Sequence, residues 1–432
     1  MVIHNSPGTV SGTVEVTGPQ GSDSSGFSFD ISAPMVPSFP TALVTGTGEM
    51  ADEPQVLVLP NGSLIVVFEE IVADPVLGLT LPRYVNIAFS TNPNPIGAID
   101  WSGFRFGEDA FTASQPWLTR VGSFIVITYN DANNSTEIAI ADESAGNLNN
   151  PASWIHRSLP ATEPIYRGMG VALTATDTEL LAMDIRQGPG FNNYFPLISI
   201  IPINQALDFT GFRERRVWGQ VWEDARPLAL TVIGNGVAYA FPARPEKEPE
   251  YVYYETLDDG FGDEWISQRF FPPATAGQDR FVTALTPVGD GIMISYVTHE
   301  SDNSYHGGLT FAPNLKPTTL PNQWRFIEGL PAIVGAPQLW RGRYIWETRN
   351  RDGIGLLRAT AVSPESAADF QTNVLRSFVP PWTELSFYNV EIFNPATSLC
   401  VRGKDLLVAS AYPFRYDTTD RSLSLAIPDG PW

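Results

Sequence analysis

One unit recurs seven times along this chain, and no other feature narrows its fold as much. Each copy is a short strand, a tight turn, a second strand, a polar loop, a third strand and then an aromatic residue. The clearest copy reads PQVLVLPNGSLIVVFEE (54–70), then YVNIAFS, then Trp101. The next reads QPWLTRVGSFIVITYND (115–131), TEIAIAD and Trp154. Five more follow: GVALTATDTELLAMD (170–184) with Phe209, RPLALTVIGNGVAYAF (226–241) with Trp265, VTALTPVGDGIMISYV (282–297) with Trp324, APQLWRGRYIWET (336–348) with Phe370, and ATSLCVRGKDLLVASAY (396–412) with Trp432. The turn positions are Gly62, Gly122, Asp177, Gly236, Gly291, Gly342 and Gly403, spaced 51 to 61 residues apart.

Within each copy the strands are β-branched and aromatic runs bounded by Gly, Pro, Asn and Asp, and no long window has the apolar spacing of a helix. A four-stranded sheet cannot bury both of its faces alone, so repeated sheets stack around an axis. The expected fold is all-β: a seven-bladed β-propeller with a short N-terminal β/linker arm. A tandem of β-sandwich domains is the alternative, but no Pro/Ser-rich linker separates the copies. The Asn61-Gly62, Asn235-Gly236 and Asp290-Gly291 pairs fit tight first hairpins, because primed turns need positive φ.

The last copy ends where its fourth strand should begin, so a segment before the first copy is expected to complete that sheet. FPTALVTGT (39–47) and FSFDIS (27–32) are the two candidates. Before them, TVSGTVEVT (9–17) alternates as one strand, and GPQGSDSSG (18–26) has the composition of a flexible linker. Residues 1–38 are therefore expected to form an arm and 39–432 the propeller.

Composition excludes several partners. The 432 residues carry 26 Lys+Arg against 47 Asp+Glu, a formal charge of -21, which disfavours nucleic acid and anionic membrane surfaces. No apolar run reaches the ~18 residues of a membrane span. The start, MVIHNSPGTVSGTV, has no basic and then apolar region of a secretory signal. The single cysteine, Cys400, rules out a disulfide framework within the chain, and its expected state is buried and unpaired.

IAFSTN (87–92) with Trp101, IAIADES (138–144) with Trp154 and LDDGFGDEW (257–265) carry a resemblance to the repeats of sialidase-like, Asp-box (BNR) propellers. The resemblance covers most of 50–432 and is degenerate: no copy spells the full S-x-D-x-G-x-T-W box, and sialidases have six blades. It implies architecture more than activity. For an enzyme of that family it implies an arginine triad, for which Arg167, Arg226 and Arg349 are available, and acids drawn from Glu69, Asp131 and Asp184.

A propeller binds ligands on the face where its first strands begin and its second strands end. First-strand starts supply Glu53, Gln115, Arg167, Arg226 and Gln338 there. The ends of the second strands supply Glu69, Glu70, Asp131, Asp184, Glu347, Arg349 and His299. Trp340 and Trp346 are expected to be core between blades. The four histidines lack metal-ligand spacing, so no cofactor is expected unless Ca²⁺ is held by the acidic pairs Asp258-Asp259 or Asp417/Asp420.

These features together describe a non-catalytic virion or surface protein of phage tail or fibre type. It would recognise a glycan or host-surface receptor through the propeller face and other virion proteins through the arm. Its expected location is virion or extracellular. The alternative is an exported sialidase-like glycosidase. An intracellular WD40 scaffold would need the G-H…W-D signature, which is missing.

Overall fold

The computed structural model describes residues 8–18, 21–31, 42–43, 50–71, 83–95, 98–106, 114–130, 136–159, 172–187, 194–216, 229–234, 236–241, 251–256, 266–269, 279–289, 291–300, 304–312, 324–350, 353–377, 397–402, 405–410 and 424–426. Strands β1 (Gly8–Gly18) and β2 (Gly21–Ile31) pair antiparallel as a two-stranded sheet, with Gly8 opposite Ile31 and Gly18 opposite Gly21. The linker expected over 18–26 is thus mostly strand, and so is the ring-closing candidate 27–32. A Ser/Gly-rich run has weak intrinsic β-preference, yet an eleven-residue partner supplies the hydrogen bonds that override it.

The short strand β3 (Ala42–Leu43) is followed by sheet one, β4 (Met50–Val58), β5 (Leu64–Ile71), β6 (Arg83–Ser90) and β7 (Trp101–Phe106). Sheet two holds β8 (Ser114–Val121), β9 (Phe124–Asn130), β10 (Thr136–Asp142) and β11 (Ile155–Ser158). Sheet three holds β12 (Ala172–Ala175), β13 (Glu179–Gln187), β14 (Tyr194–Pro202) and β15 (Arg213–Arg216). Sheet four holds β16 (Ala229–Ile233), β17 (Gly236–Phe241), β18 (Tyr251–Thr256) and β19 (Ile266–Arg269). Sheet five holds β20 (Asp279–Val288), β21 (Gly291–His299), β22 (Tyr305–Ala312) and β23 (Arg325–Leu330). Sheet six holds β24 (Ile333–Trp340), β25 (Arg343–Asn350), β26 (Gly353–Ala359) and β27 (Phe370–Ser377). Sheet seven holds β28 (Thr397–Arg402), β29 (Asp405–Ser410), β30 (Ser424–Ala426) and, in fourth place, β3. Ala42 pairs with Leu425 and Leu43 with Ser424, so the segment 39–47 supplies the strand that completes the last sheet.

Each sheet is a meander of antiparallel neighbours. The first strand of each lies against the first strand of the next, and β28 lies against β4. This is the all-β propeller fold. The helical segments among the described residues are three-residue 3-10 turns, and no helix among them is long and apolar enough to cross a membrane.

Alternation along the second strands builds the core, since residues two apart share a face. In β5, Ile65 and Val67 pack with Ile125 and Ile127 of sheet two, whereas Leu64, Val66 and Phe68 pack with Leu407 and Ala409 of sheet seven. Trp340 and Trp346 are fully buried between sheets, as expected of core aromatics. Four of the repeat's seven closing aromatics flank the fourth strands: Trp101 and Phe370 start β7 and β27, and the buried Trp154 and Trp324 immediately precede β11 and β23; Phe209 lies four residues before β15, and Trp265 and Trp432 lie outside the described residues. Cys400 is free and partly buried, and burial pushes its thiol up.

Four first strands bulge near their starts, β20 between Val282 and Ala284, and in the other three a buried proline lies in the bulge. In those three the register shifts fall between Asp52 and Gln55, Ser114 and Trp117, and Val334 and Gln338, around Pro54, Pro116 and Pro337. Proline has no N–H for the ladder, so a bulge is the place in a paired strand that tolerates it. The hairpin turns differ from expectation in sheets four and five. Positive φ falls on Gly234 (55°) and Gly289 (59°), while Gly236 and Gly291 already pair as the first residues of β17 and β21. Where two glycines flank one residue, the two-residue loop takes the first of them. Gly62, Gly122 and Gly342 do have positive φ, and Asp177 lies in a turn closed by the Thr176 N–H donating to the Glu179 carbonyl at 2.9 Å.

Candidate functional site

Antiparallel meanders give the ring two faces. On the turn face, the first hairpins and the loops between third and fourth strands meet. On the opposite, leading face, first strands begin and second strands end. The four charged side chains that are buried among the described residues are all carboxylates at the leading end of a second strand. They are Glu69 (1% exposed) and Glu70 (4%) in β5, Asp184 (2%) in β13 and Glu347 (3%) in β25. Burying a carboxylate is costly unless hydrogen bonds or charges compensate.

Strand alternation tells which way each one faces. Glu69 continues the Ile65–Val67 stripe toward sheet two, where Tyr129 belongs to the same packed cluster. Asp184 continues the Leu180–Ala182 stripe, which packs on Val126 and Ile138 of sheet two from the other side. Glu70 and Glu347 bracket sheet seven in the same manner: Glu70 continues the Leu64–Phe68 stripe, and Glu347 follows Ile345, which packs on Leu406 and Val408. Sheet two therefore stands between Glu69 and Asp184. With packed sheets ~10 Å apart, this geometry does not bring two carboxyls to the ~5 Å that retaining glycoside hydrolysis uses.

Glu70 shows how one of these charges is held. Arg105 donates from Nε to Oε2 at 2.9 Å and from Nη2 to Oε1 at 2.6 Å, and Asn86 Nδ2 donates to Oε2 at 2.5 Å. The Arg105 guanidinium also lies 4.7 Å from the centre of the Tyr84 ring. Glu70, Asn86 and Arg105 line a cavity of about 300 Å³ with Phe68 and Trp101. At the leading end of sheet five, His299 stacks on Tyr305 with ring centres 4.6 Å apart, whereas His306 is exposed beside Ser304. Deeper in that sheet, burial pushes the Tyr296 phenol up, and the neighbouring Glu328 carboxylate adds to the effect.

Of the expected ligand residues, Glu69 and Asp184 flank sheet two from opposite sides, and Gln338 sits half-buried just past the β24 bulge. Glu53, Gln115 and Arg349 lie within β4, β8 and β25, with side chains outside the described ones. Arg167, Arg226 and Asp131 lie outside the described residues, as do Asp258, Asp259, Asp417 and Asp420. No group of three or more His, Cys, Asp or Glu side chains converges as a metal site among the described residues. What the residue pattern did not reveal is the separation of burial from exposure. Glu70 and Glu347 were legible only as rim residues, although the apolar residue two positions before each (Phe68, Ile345) marks a stripe that runs into the core.

The degenerate Asp-box segments form turns held by side-chain caps on the turn face. Asp142 accepts from the Ser144 N–H at 2.8 Å and its hydroxyl at 2.7 Å. In sheet one, Asn92 Nδ2 donates to Asp100 Oδ1 at 2.9 Å and the Thr91 N–H to the Asp100 carbonyl at 2.7 Å. The segment 257–265 lies outside the described residues.

No protein-family model matches the sequence, and no curated protein shows detectable sequence similarity to it. Solved structures are similar to it in differing degree. The polysaccharide lyase Uly1 superposes with a TM-score of 0.50 at 10% identity, over 87% of this chain and 89% of that one. Acylaminoacyl peptidase of Pyrococcus horikoshii gives 0.45 at 10% identity, over 88% of this chain and 51% of that one. The present chain thus spans about half of that peptidase's length. Trypanosoma rangeli sialidase gives 0.37 at 12% identity, covering 73% and 55%. At such identities the likeness is one of fold alone.

Proposed function

We propose that this chain recognises a glycan through the leading face of the propeller, as a binding protein exposed on a virion or other surface. The observation that carries the reading is that every buried charge among the described residues is a carboxylate at the leading end of a second strand. Buried carboxylates fix the polar groups that hydrogen-bond to them, and such charge-assisted bonds are shorter and stronger than neutral ones. Glu69 and Asp184, buried beneath the face, would hold its polar groups in place around sheet two. Glu53, Gln115, Arg167, Arg226, Gln338, Asp131 and Arg349 would complete the face. The seven sheets are, in this reading, seven blades of one ring (39–432), and residues 1–38 are an arm that engages other structural proteins. Ca²⁺ is the one cofactor the acidic pairs would accommodate.

A second reading, an exported sialidase-like glycosidase, draws on the same pair of carboxylates. The sheet that stands between Glu69 and Asp184 favours binding over a retaining mechanism. A glycan array followed by a hydrolysis assay on its hits tests both. Binding without turnover, lost in Glu69→Gln and Asp184→Asn, is the expected result. Product release that those substitutions abolish would establish the glycosidase instead, and an array with no hits would overturn glycan recognition on this face.

A further inference from the structure

We propose a second ligand site on the turn face: a cleft of about 530 Å³ between sheets one and two that binds a short neutral saccharide. Its volume lies within the ~300–1,000 Å³ of ordinary small-molecule sites. Strand β5 begins at Leu64 beside this cleft and reaches Glu70 six residues later, roughly 20 Å away at ~3.3 Å per residue. The cleft is therefore separate from the leading face.

Its chemistry selects the ligand class. The floor is apolar, with Phe89 from sheet one and Leu148 from sheet two, both buried. The walls carry the hydroxyls of Ser63, Ser102 and Ser123, none of which donates to or accepts from protein among the described residues, and the carboxamide of Asn149. The one charged lining residue among the described residues, Glu143, is ion-paired with Arg120, which also donates to the Val58 carbonyl at 3.1 Å. Among the described residues no unpaired cation is offered to a phosphate or sulfate. Hydroxyl and amide walls over an apolar floor match a sugar, which has polar edges and C–H faces.

The cleft is also built in advance. The Leu64 N–H donates to Ser90 Oγ at 2.7 Å, and the Ser63 N–H to Asn61 Oδ1 at 2.9 Å. On the other wall, the Trp154 indole N–H donates to the Leu148 carbonyl at 2.8 Å. A wall fixed beforehand spares the ligand the cost of ordering it.

The test is titration calorimetry of the whole chain with neutral di- to pentasaccharides of glucose, galactose and N-acetylglucosamine. Two variants probe the cleft: Ser123→Tyr, which fills it from an exposed turn position, and Asn149→Ala, which removes one polar wall group. The expected result is a saccharide whose affinity falls roughly tenfold or more in Ser123→Tyr, since a filled cavity excludes its ligand, and several-fold in Asn149→Ala, about one hydrogen bond's worth. If Ser123→Tyr does not fold, the Asn149→Ala titration decides alone. Saccharide binding that both cleft variants leave unchanged, or that only Glu69→Gln and Asp184→Asn remove, overturns the cleft and assigns the ligand to the leading face. No heat with any of these probes overturns it as well, while array hits lost in the leading-face variants would keep the other site standing.

Discussion

At Gly308 an added Cβ would lie 2.2 Å from Cζ of the Tyr296 ring, and that ring is itself buried. A ring walled in by sheets four and five has no room to swing away. Gly308→Ala is therefore expected to cost ~1–3 kcal/mol, the usual penalty of overpacking, read as a lower denaturant midpoint at constant m-value. Titration acts on different residues. Hydrogen bonds from Ser144 hold the Asp142 carboxyl below the ordinary carboxylate range. Asn204 and Thr210 do the same for Asp208, and the Glu365 and Ser366 N–H groups for Asp369. A group depressed in the folded state stabilises it above the unfolded pKa, and that stability fades as pH falls through the folded value. Thermal unfolding followed from pH 7 downward should hold level on account of these three groups until about pH 4, near the free Asp value, and then fall. The triple Asp→Ala variant is expected to start lower and fall less steeply over that window.

The elements were legible wherever periodicity and turn chemistry agreed. Strand pairs such as β4–β5 and β8–β9 follow from alternating apolar runs around a glycine, and the anchors Trp101, Trp154, Trp324 and Phe370 were placed by their distance from the turn. Two things were not legible. In VGDG and IGNG either glycine could take the positive φ, because both lack a Cβ, and only the pairing of Val288 with Gly291 and Ile233 with Gly236 decides it. The GPQGSDSSG run gave no sign of β2, because its strand character comes from a partner rather than from its own residues. The candidate site was half legible. Positions on the leading face followed from topology, but which carboxylates are buried depends on neighbouring sheets that one strand's pattern does not contain. The turns themselves provide a graded test. Gly122 has φ 57° and a Cβ there would meet the Asp177 carbonyl at 2.8 Å, whereas Gly342, at φ 72°, has nothing within 4 Å. Both Ala substitutions incur the ~1–2 kcal/mol of a left-handed residue. Gly122→Ala is expected to cost more by differential scanning calorimetry, since its clash between sheets two and three adds to the backbone strain.

For the molecule as a whole, stability depends on how the ring closes between sheets seven and one. Arg402, at the end of β28, donates to the Gly62 carbonyl at 3.3 Å, to the Pro93 carbonyl and to Asn94 Oδ1 at 2.9 Å. Deeper in, the Val56 N–H donates to Ser398 Oγ at 3.1 Å. The remaining closure is strand pairing: β3 comes from the N-terminal side and completes, by antiparallel pairing with β30, a sheet whose other strands come from the C-terminal end. A sheet closed in this way cannot lose its fourth strand without exposing the edge of β30, and exposed edges both destabilise and invite association. The hairpin β1–β2 lies upstream of β3 and forms a sheet of its own. Two truncations therefore separate the arm from the closure. A chain starting at residue 32 should melt close to the full-length protein, because all seven four-stranded sheets keep their strands. A chain starting at residue 46 should melt several degrees lower and associate in light scattering, with Arg402→Ala adding to the loss. Equal melting of the two truncations would mean that the Arg402 and Ser398 bonds close the ring without β3.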